Sequence, residues 1–412
     1  MALVRSEDPT KEVSDGSDPP RRGGRCGCPL CERRSSLGGL RGRNDHVAEY
    51  DYAEYDDPEH DAAQFGELPE HGLVARLVEL VRCGIRHAGR RVSERSGAAL
   101  RRRSLRAVAL AAFAALLAGC GGASVRTTIY AQGPKHVSAF AIDSRGRLWA
   151  TAAGLTGHTD DGLYLIARPG TKAVKVAGRL VDPLGVVWVD GKLLVSSLGK
   201  VTAFSGFDGR RFRSRRVILD GPVKGGENNN LAIAPNGRVV MGVSASCDHC
   251  TPKGEWSAAV VSFNPDGSDL RIVASGIRAP FGLAYEDGML YVTMNQRDDL
   301  GDKTPGDWLA VVRNGQDWGF PRCYAQGSAA CRGVPAPVAV LDKHAAAGGV
   351  ALVGRAAYVA EWQSGKVLRV SLETGEVSTV TTAIRNPLPV VANDGALLVG
   401  DWSSGTISRI DL

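Results

Sequence analysis

Aromatic side chains make up only 6% of the 412 residues and there are four Met, too few to suggest a helical protein built on large apolar ridges. No apolar run is long enough to span a bilayer, which takes roughly 20 residues. The best candidate, AVALAAFAALLA from Ala107 to Ala118, has 12. A large excess of one charge is also missing. The formal net charge is +6, and it conceals opposed blocks: ten acidic residues and no Lys or Arg between Asp45 and Glu70, then nine Arg against the single acid Glu94 between Arg82 and Arg106. The blocks cancel, so overall charge identifies no partner, and no nucleic acid is expected among the ligands. What is plentiful is Gly, with 51 residues beside 20 Pro. A chain that is 43% hydrophobic and 23% charged is neither disordered throughout nor a coiled coil, and this balance favours a turn-rich all-β fold.

The apolar run at Ala107 follows the basic cluster Arg101 to Arg106 and ends in Leu117-Ala118-Gly119-Cys120. Charged stretch, short apolar core and small-residue site read as a signal peptide rather than a membrane span. The box resembles a bacterial lipoprotein signal, which implies cleavage before Cys120 and lipidation of its thiol, tethering the following domain to the outer face of a membrane. A buried apolar helix is the alternative. Signal peptides occupy the first 15 to 30 residues or so, so an over-extended N-terminus and a start near Val92 are expected. Residues 1–100 then form a poorly structured extension, 101–120 the signal peptide and 121–412 the folded domain. Within the extension, the helix-like segment Gly72 to Gly89 is too little to bury a core, and Cys26, Cys28 and Cys31 lack a second ligand pair at zinc-like spacing.

Beyond Cys120 the chain repeats. Six Gly residues sit between short apolar runs, in DSRGRLWA (Gly146), VDGKLLV (Gly191), PNGRVVM (Gly237), EDGMLYV (Gly288), VGRAAYV (Gly354) and NDGALLV (Gly395), at gaps of 45, 46, 51, 66 and 41 residues. Each is a hairpin turn needing positive φ. Further β-rich runs follow each hairpin, and four strands per repeat at this period predict the blades of a six-bladed β-propeller. The last repeat supplies about three strands, while an orphan strand, TTIYAQ from Thr127 to Gln132, precedes the first. Pairing the two closes the ring with an N-terminal strand and removes an exposed edge. A solenoid is the alternative.

Nine or ten residues before each turn Gly stand His136, Asp182, Glu227, Arg278, His344 and Arg385, all ionisable. In a propeller these positions enter the innermost strands, so a polar ring at the mouth of the central channel is expected, suited to a small polyhydroxylated or anionic ligand. Cys247 with Cys250 in SCDHC, and Cys323 with Cys331 in RCYAQGSAAC, read as disulfides pinning long blade loops of an exported domain. A redox or metal site at Cys247-Asp248-His249-Cys250 is the alternative.

The stretch from Asn229 to Tyr324, with NLAIAPNGRVVMGVS, GIRAPFGLAY, LYVTMNQRDDLG and NGQDWGFPRCY, resembles the glucose/sorbosone dehydrogenase family of six-bladed quinoprotein propellers, and the likeness extends over about 290 residues. It implies pyrroloquinoline quinone (PQQ) held over the channel with Ca²⁺, and a His that takes the sugar hydroxyl proton while hydride passes to the quinone. By this resemblance Arg278 contacts the cofactor, with Ala279 where the family has Asn. Gln363 stands in place of a cofactor-contacting Lys. Arg385 matches one of two Arg in the last blade, and Pro387 replaces the other. The catalytic His position falls on Gly226, one residue before Glu227. The family binds Ca²⁺ largely through backbone carbonyls in the segment that here runs from Asn295 to Asp302, where Asp298, Asp299 and Asp302 offer oxygen donors or are solvated loop acids. Two functions follow. One is an exported sugar, alcohol or aldehyde oxidoreductase, with Arg278, Arg385 and Gln363 on the cofactor and Glu227 or His344 as base. The other is a non-catalytic, surface-tethered propeller that binds carbohydrate or protein, and a hydrolytic propeller with a ring-bound metal is a third. The protein is expected outside the cytoplasm of a bacterium, membrane-anchored, and a monomer or weak oligomer.

Overall fold

The computed structural model of the protein describes residues 125–154, 159–221, 227–324 and 328–412. The readings at Cys26, Cys28, Cys31, 72–89, 101–120 with Cys120, and Gly226 lie outside these residues. The described chain is all β, apart from two short 3₁₀ turns, and is arranged as a six-bladed propeller. No helix among the described residues is long and apolar enough to cross a membrane.

Strand β1 (Thr127–Gln132) comes first. Blade 1 is β2 (Val137–Ile142), β3 (Leu148–Ala152), β4 (Gly162–Ile166) and β5 (Val174–Ala177). Blade 2 is β6 (Gly185–Val189), β7 (Lys192–Ser197), β8 (Lys200–Phe207) and β9 (Phe212–Asp220). Blade 3 is β10 (Asn228–Ile233), β11 (Val239–Val243), β12 (Ala259–Phe263) and β13 (Arg271–Ser275). Blade 4 begins with β14 (Pro280–Glu286), β15 (Met289–Met294) and β16 (Trp308–Val312); the chain then lends β17 (Gln316–Asp317) to blade 3, parallel to β13, before completing blade 4 with β18 (Ala339–Val340). Blade 5 is β19 (Ala347–Val353), β20 (Ala356–Glu361), β21 (Lys366–Ser371) and β22 (Val377–Thr381). Blade 6 is β23 (Pro387–Asn393), β24 (Ala396–Asp401) and β25 (Thr406–Asp411), and its outer edge is β1, which pairs antiparallel to β25 from Thr127 opposite Ile410 to Gln132 opposite Thr406.

The expected hairpins are the turns between first and second strands of every blade. Gly146, Gly191, Gly237, Gly288, Gly354 and Gly395 adopt φ from 57° to 79°, and nothing lies within 4 Å of where a Cβ would be, so conformation rather than space demands Gly there. Burial falls outward along each blade. Strands β3, β4 and β11 are buried throughout, because neighbouring blades cover both their faces, whereas the edge strands β5, β9 and β22 are mostly exposed. Between blades 1 and 2 the fully buried Trp149 meets the rings of Trp188 and Phe207 edge-on at 5.4 and 5.0 Å, and burying such a side chain contributes about 1.5–3 kcal/mol.

Hydrogen bonds stitch successive blades together near the channel. Ser138 Oγ donates to Pro183 O (2.6 Å), Ser196 Oγ to Asn229 O (2.6 Å), Asn229 Nδ2 to Pro280 O (3.0 Å) and Thr293 Oγ1 to Gly348 O (2.7 Å). Two buried aspartates add clamps. Asp161 accepts the backbone N–H groups of Gly154 and Asp182, at 2.8 and 3.0 Å, and Asp307 those of Gln296 and Ala347, at 2.7 and 2.8 Å. Each pair joins one blade to the segment entering the next, so the entries to blades 2 and 5 are tied to the blade before them.

Candidate functional site

All six ring positions lie on segments that lead into innermost strands, at the end of the propeller opposite the hairpin turns. His136, Asp182 and His344 adopt φ of 59°, 45° and 50°, a left-handed backbone that costs a non-Gly residue energy. Strain of this kind concentrates at ligand sites, because it aims a side chain that relaxed backbone would not. An apolar cluster of Ala153, Leu184, Phe281 and Leu388, drawn from four segments around the ring, packs beneath the mouth, and Trp362 and Trp402 lie against it. The two indoles meet edge-on at 5.5 Å, and the His136 ring lies 4.4 Å from that of Trp402. Trp402 is fixed by its indole N–H on Ala153 O (3.0 Å), and Asn386 Nδ2 donates to Trp362 O (3.1 Å).

Glu227 is the least committed carboxylate at the mouth. It keeps partial solvent contact although protein atoms crowd around it, and its side chain has no hydrogen-bond partner among the described residues. Burial and then the negative charge of Asp182 raise its pKa above the ordinary carboxylate range, while Arg278 opposes the rise. Asp182, Glu227 and Arg278 are therefore close enough to act on one another. Arg278 is already engaged: Nη2 donates to Asp248 Oδ1 (2.5 Å), Nε to Asp248 O (2.9 Å) and Nη1 to Asn295 O (3.2 Å). The Asp248 carboxylate also accepts the backbone N–H groups of Asp298 and Asp299, at 3.0 to 3.2 Å.

The two candidate bases differ in geometry. His344 Nδ1 lies 2.8 Å from Asp298 Oδ1 and Nε2 2.9 Å from Gly301 O. Both contacts are oxygens able to accept, an arrangement that favours the doubly protonated ring. Its pKa is raised, first by the Asp298 bond and then by the Gly301 carbonyl. Arg385 is exposed and has no ion pair among the described residues, and Gln363 is exposed on the turn between β20 and β21, with its backbone N–H on Ala345 O (3.0 Å).

The three aspartates expected around Ca²⁺ separate. Asp298 holds His344, Asp299 takes a two-pronged bond from Arg297 (2.6 Å each), and Asp302 is exposed on a 3₁₀ turn. Among the described residues the only three potential ligands within 4.8 Å of one another are Asp248, His249 and Asp299. Both carboxylates there are occupied by arginines, so the described side chains do not fit a Ca²⁺ donor set.

Both Cys pairs are disulfides, Cys247–Cys250 in the blade 3 loop that also carries Asp248, and Cys323–Cys331 in the excursion that supplies β17. The excursion reaches the mouth: Gln296 Nε2 donates to Tyr324 O (2.6 Å), and the Arg297 guanidinium lies 4.6 Å from the Tyr324 ring centroid.

Sequence reasoning missed Trp362, Trp402 and Glu361, and named Asp248 only within an alternative redox or metal site. A signal existed for the first three. Glu361-Trp362-Gln363-Ser364-Gly365 and Asp401-Trp402-Ser403-Ser404-Gly405 repeat one pattern at the same place in blades 5 and 6. The carboxylate folds the turn, with Ser364 Oγ on Glu361 Oε2 (2.5 Å) and Ser403 Oγ on Asp401 Oδ1 (2.8 Å), and this presents each Trp at the mouth.

No family model matches the sequence, and no curated protein matches it. Solved structures do match. PQQ-bound aldose sugar dehydrogenase from Streptomyces coelicolor superposes with a TM-score of 0.58 at 15% identity, over 70% of this chain and 98% of that one. This chain shares its fold with sugar dehydrogenases. The apo-form of soluble aldose sugar dehydrogenase from Escherichia coli gives 0.57 at 16% identity, over 70% and 99% of the two chains, and the PQQ domain of pyranose dehydrogenase from Coprinopsis cinerea gives 0.58 at 15%, over 71% and 96%. At such identities the likeness is one of architecture.

The segments at this mouth carry groups of the kind a planar quinone bearing carboxylates would use: Arg385, exposed and without an ion pair among the described residues, Gln363, also exposed, and the indoles of Trp362 and Trp402. Arg278 meets such a carboxylate only by exchanging Asp248. The donor set therefore fits PQQ in kind, with one of its two arginines held in reserve.

Proposed function

We propose that the chain is an exported oxidoreductase-type propeller that binds a sugar or related alcohol or aldehyde over the channel mouth. The observation that carries this reading is Glu227, a crowded carboxylate of raised pKa, beside Asp182 and Arg278, with no hydrogen-bond partner among the described residues. Such a group is a signature of acid–base work, because its raised pKa makes it a stronger base than a surface carboxylate. Glu227 accepts the proton of the reacting hydroxyl. His344, whose ring contacts with Asp298 and Gly301 favour its protonated form, is the weaker candidate for the base. Trp362 and Trp402 offer flat apolar faces for a ring, and Arg385, Gln363 and, after exchange of Asp248, Arg278 would hold a quinone's carboxylates. PQQ, when bound, supplies the two-electron acceptor. Export is supported by the two disulfides, which persist in oxidising compartments, and by the box ending at Cys120, whose thiol we assign to lipid anchoring.

A second reading, sugar binding without oxidation, is favoured by the Arg278–Asp248 pairing and by Gly226 at the position of the family's His. One experiment separates the two. The protein incubated with PQQ is assayed for aldose-dependent reduction of an artificial electron acceptor, and sugar binding is measured in parallel. The first reading predicts turnover that falls about 10²- to 10⁴-fold in Glu227→Gln while binding persists. Binding without turnover supports the second, and turnover indifferent to Glu227→Gln overturns the assignment of the base.

A further inference from the structure

The outer rim of the propeller carries a one-sided charge that the channel mouth does not use. From Arg168 to Arg216, a stretch that includes the outer strands β5 and β9, there are eleven Lys or Arg and three acids. None of the three acids stands on an outer strand. Asp182 is at the mouth, Asp190 is on the β6–β7 turn, and Asp208 shapes the β8–β9 turn by accepting the backbone N–H groups of Arg210 and Arg211 (2.9 Å each). Five arginines stand in the seven residues from Arg210 to Arg216, and all five are exposed.

Three neighbouring edges form one strip. Along β1, the outer edge of blade 6, Gly170 N–H donates to Tyr130 O and Ala173 N–H to Gln132 O (2.8 Å each), which lays the approach to β5 against β1. Arg215 then ties β9 to the chain leaving β5, with Nη1 on Gly178 O (2.7 Å) and Nη2 on Arg179 O (2.6 Å). Along the strip Arg126, Arg168, Lys172, Arg213 and Arg216 are exposed and have no ion pair among the described residues. The acids that border it are fewer. Asp411 is held by Arg409 (2.8 Å) and Asp220 lies 3.5 Å from Lys200, which leaves the exposed Asp160 and Asp266 and the C-terminal carboxylate of Leu412.

The strip also holds the two most exposed large apolar side chains among the described residues, Ile129 on β1 (78% exposed) and Val174 at the start of β5 (61%). Scattered apolar residues are ordinary on a surface. These two stand on adjoining edges, and β1 is where the chain arrives from Cys120. Six residues separate Cys120 from Thr127, a length that reaches about 25 Å at most.

We infer that this strip lays the propeller side-on against the anionic phospholipid surface of the membrane to which Cys120 is anchored. The inference rests on the lipid-anchor assignment made above. So short a tether keeps β1 beside the bilayer, where the attraction between bases and lipid phosphates acts within a screening length of about 8–10 Å. Ile129 and Val174 suit the boundary between headgroups and acyl chains. A soluble anionic polymer would engage the arginines and leave the apolar pair unused. Because the strip is on the side of the ring, docking leaves the channel mouth uncovered.

The test uses the full chain with Cys120→Ser, which cannot be lipidated. Its probes are vesicles of phosphatidylglycerol mixed with phosphatidylcholine, vesicles of phosphatidylcholine alone, and soluble dextran sulfate. The basic stretch from Arg82 to Arg106 is common to every protein compared, so the strip is read locally by hydrogen–deuterium exchange and by difference in vesicle flotation. Anionic vesicles are expected to protect peptides spanning 126–132, 168–179 and 210–217, and not the outer strand β18 of blade 4 across the ring. Arg213→Glu combined with Arg216→Glu is expected to weaken binding to anionic vesicles about tenfold or more, a difference that shrinks as salt rises from about 0.05 M to about 0.5 M. Ile129→Ser combined with Val174→Ser is expected to weaken vesicle binding several-fold and to leave dextran sulfate binding unchanged. Absence of protection along the strip overturns the inference. So do equal protection by phosphatidylcholine alone, stronger protection by dextran sulfate than by anionic vesicles, or vesicle affinity unchanged in both double variants. Anchoring is read separately, by incorporation of labelled fatty acid at Cys120 of the wild type, so its failure and that of the strip are distinguishable.

Discussion

Glu361 is fully buried at the end of β20, and its pKa rises from 4.5 to about 7 through burial first and the negative charge of Asp342 in support. A carboxyl that holds its proton more tightly when folded makes the native state bind more protons than the unfolded chain between those two pH values. Stability therefore falls as pH rises through this window and levels off above it. At about 1.4 kcal/mol per pH unit the loss comes to about 3 kcal/mol. Glu361→Gln removes the titration and keeps the shape: the amide oxygen still accepts Asp342 N–H, and the amide nitrogen still reaches Ser364 Oγ. The ion pair between Lys366 and Asp342 is present in both proteins, and so is Asp307, whose burial raises its pKa to about 6. Urea denaturation of wild type and variant from pH 4 to pH 8 isolates the Glu361 contribution. The variant is expected to gain about 3 kcal/mol relative to wild type between the two extremes. A difference that stays constant across the range would refute the reasoning.

Gly242→Ala places a Cβ 1.9 Å from Pro280 O, where blades 3 and 4 meet, and is expected to cost about 1–3 kcal/mol or more, read as a lower urea midpoint. Under graded reduction followed by peptide mapping, Cys247–Cys250 is expected to open before Cys323–Cys331, because Cys250 is exposed while Cys323 and Cys331 are buried; the reverse order would contradict the exposures. Asp248→Asn frees much of the charge of Arg278 and is expected to tighten PQQ binding about tenfold, and unchanged or weaker binding would show that Arg278 does not meet the cofactor.

The propeller was legible in the sequence because its recurring element is local. A Gly-containing turn between two apolar runs specifies a hairpin on its own, and six of them at regular gaps specify six blades. Strand β1 was legible for the same reason: TTIYAQ had no partner nearby, and blade 6 was a strand short. The six ring positions followed from counting back along the repeat. Their states did not. That His344 is doubly bonded depends on Asp298 and Gly301 from the preceding blade, and that Arg278 is occupied depends on Asp248, 30 residues upstream in another loop. Such pairings are set by how blades abut, which spacing along one chain does not encode. The same holds for Asp298, Asp299 and Asp302, neighbours in sequence whose side chains take different partners.

The claim that the mouth is a cofactor-supported sugar site is tested most directly by equilibrium dialysis of the protein against PQQ, wild type beside Arg385→Ala. The account predicts saturable binding of one quinone per chain, weakened about tenfold or more when the exposed guanidinium is removed. Absence of saturable binding, or equal binding by the two proteins, would contradict it.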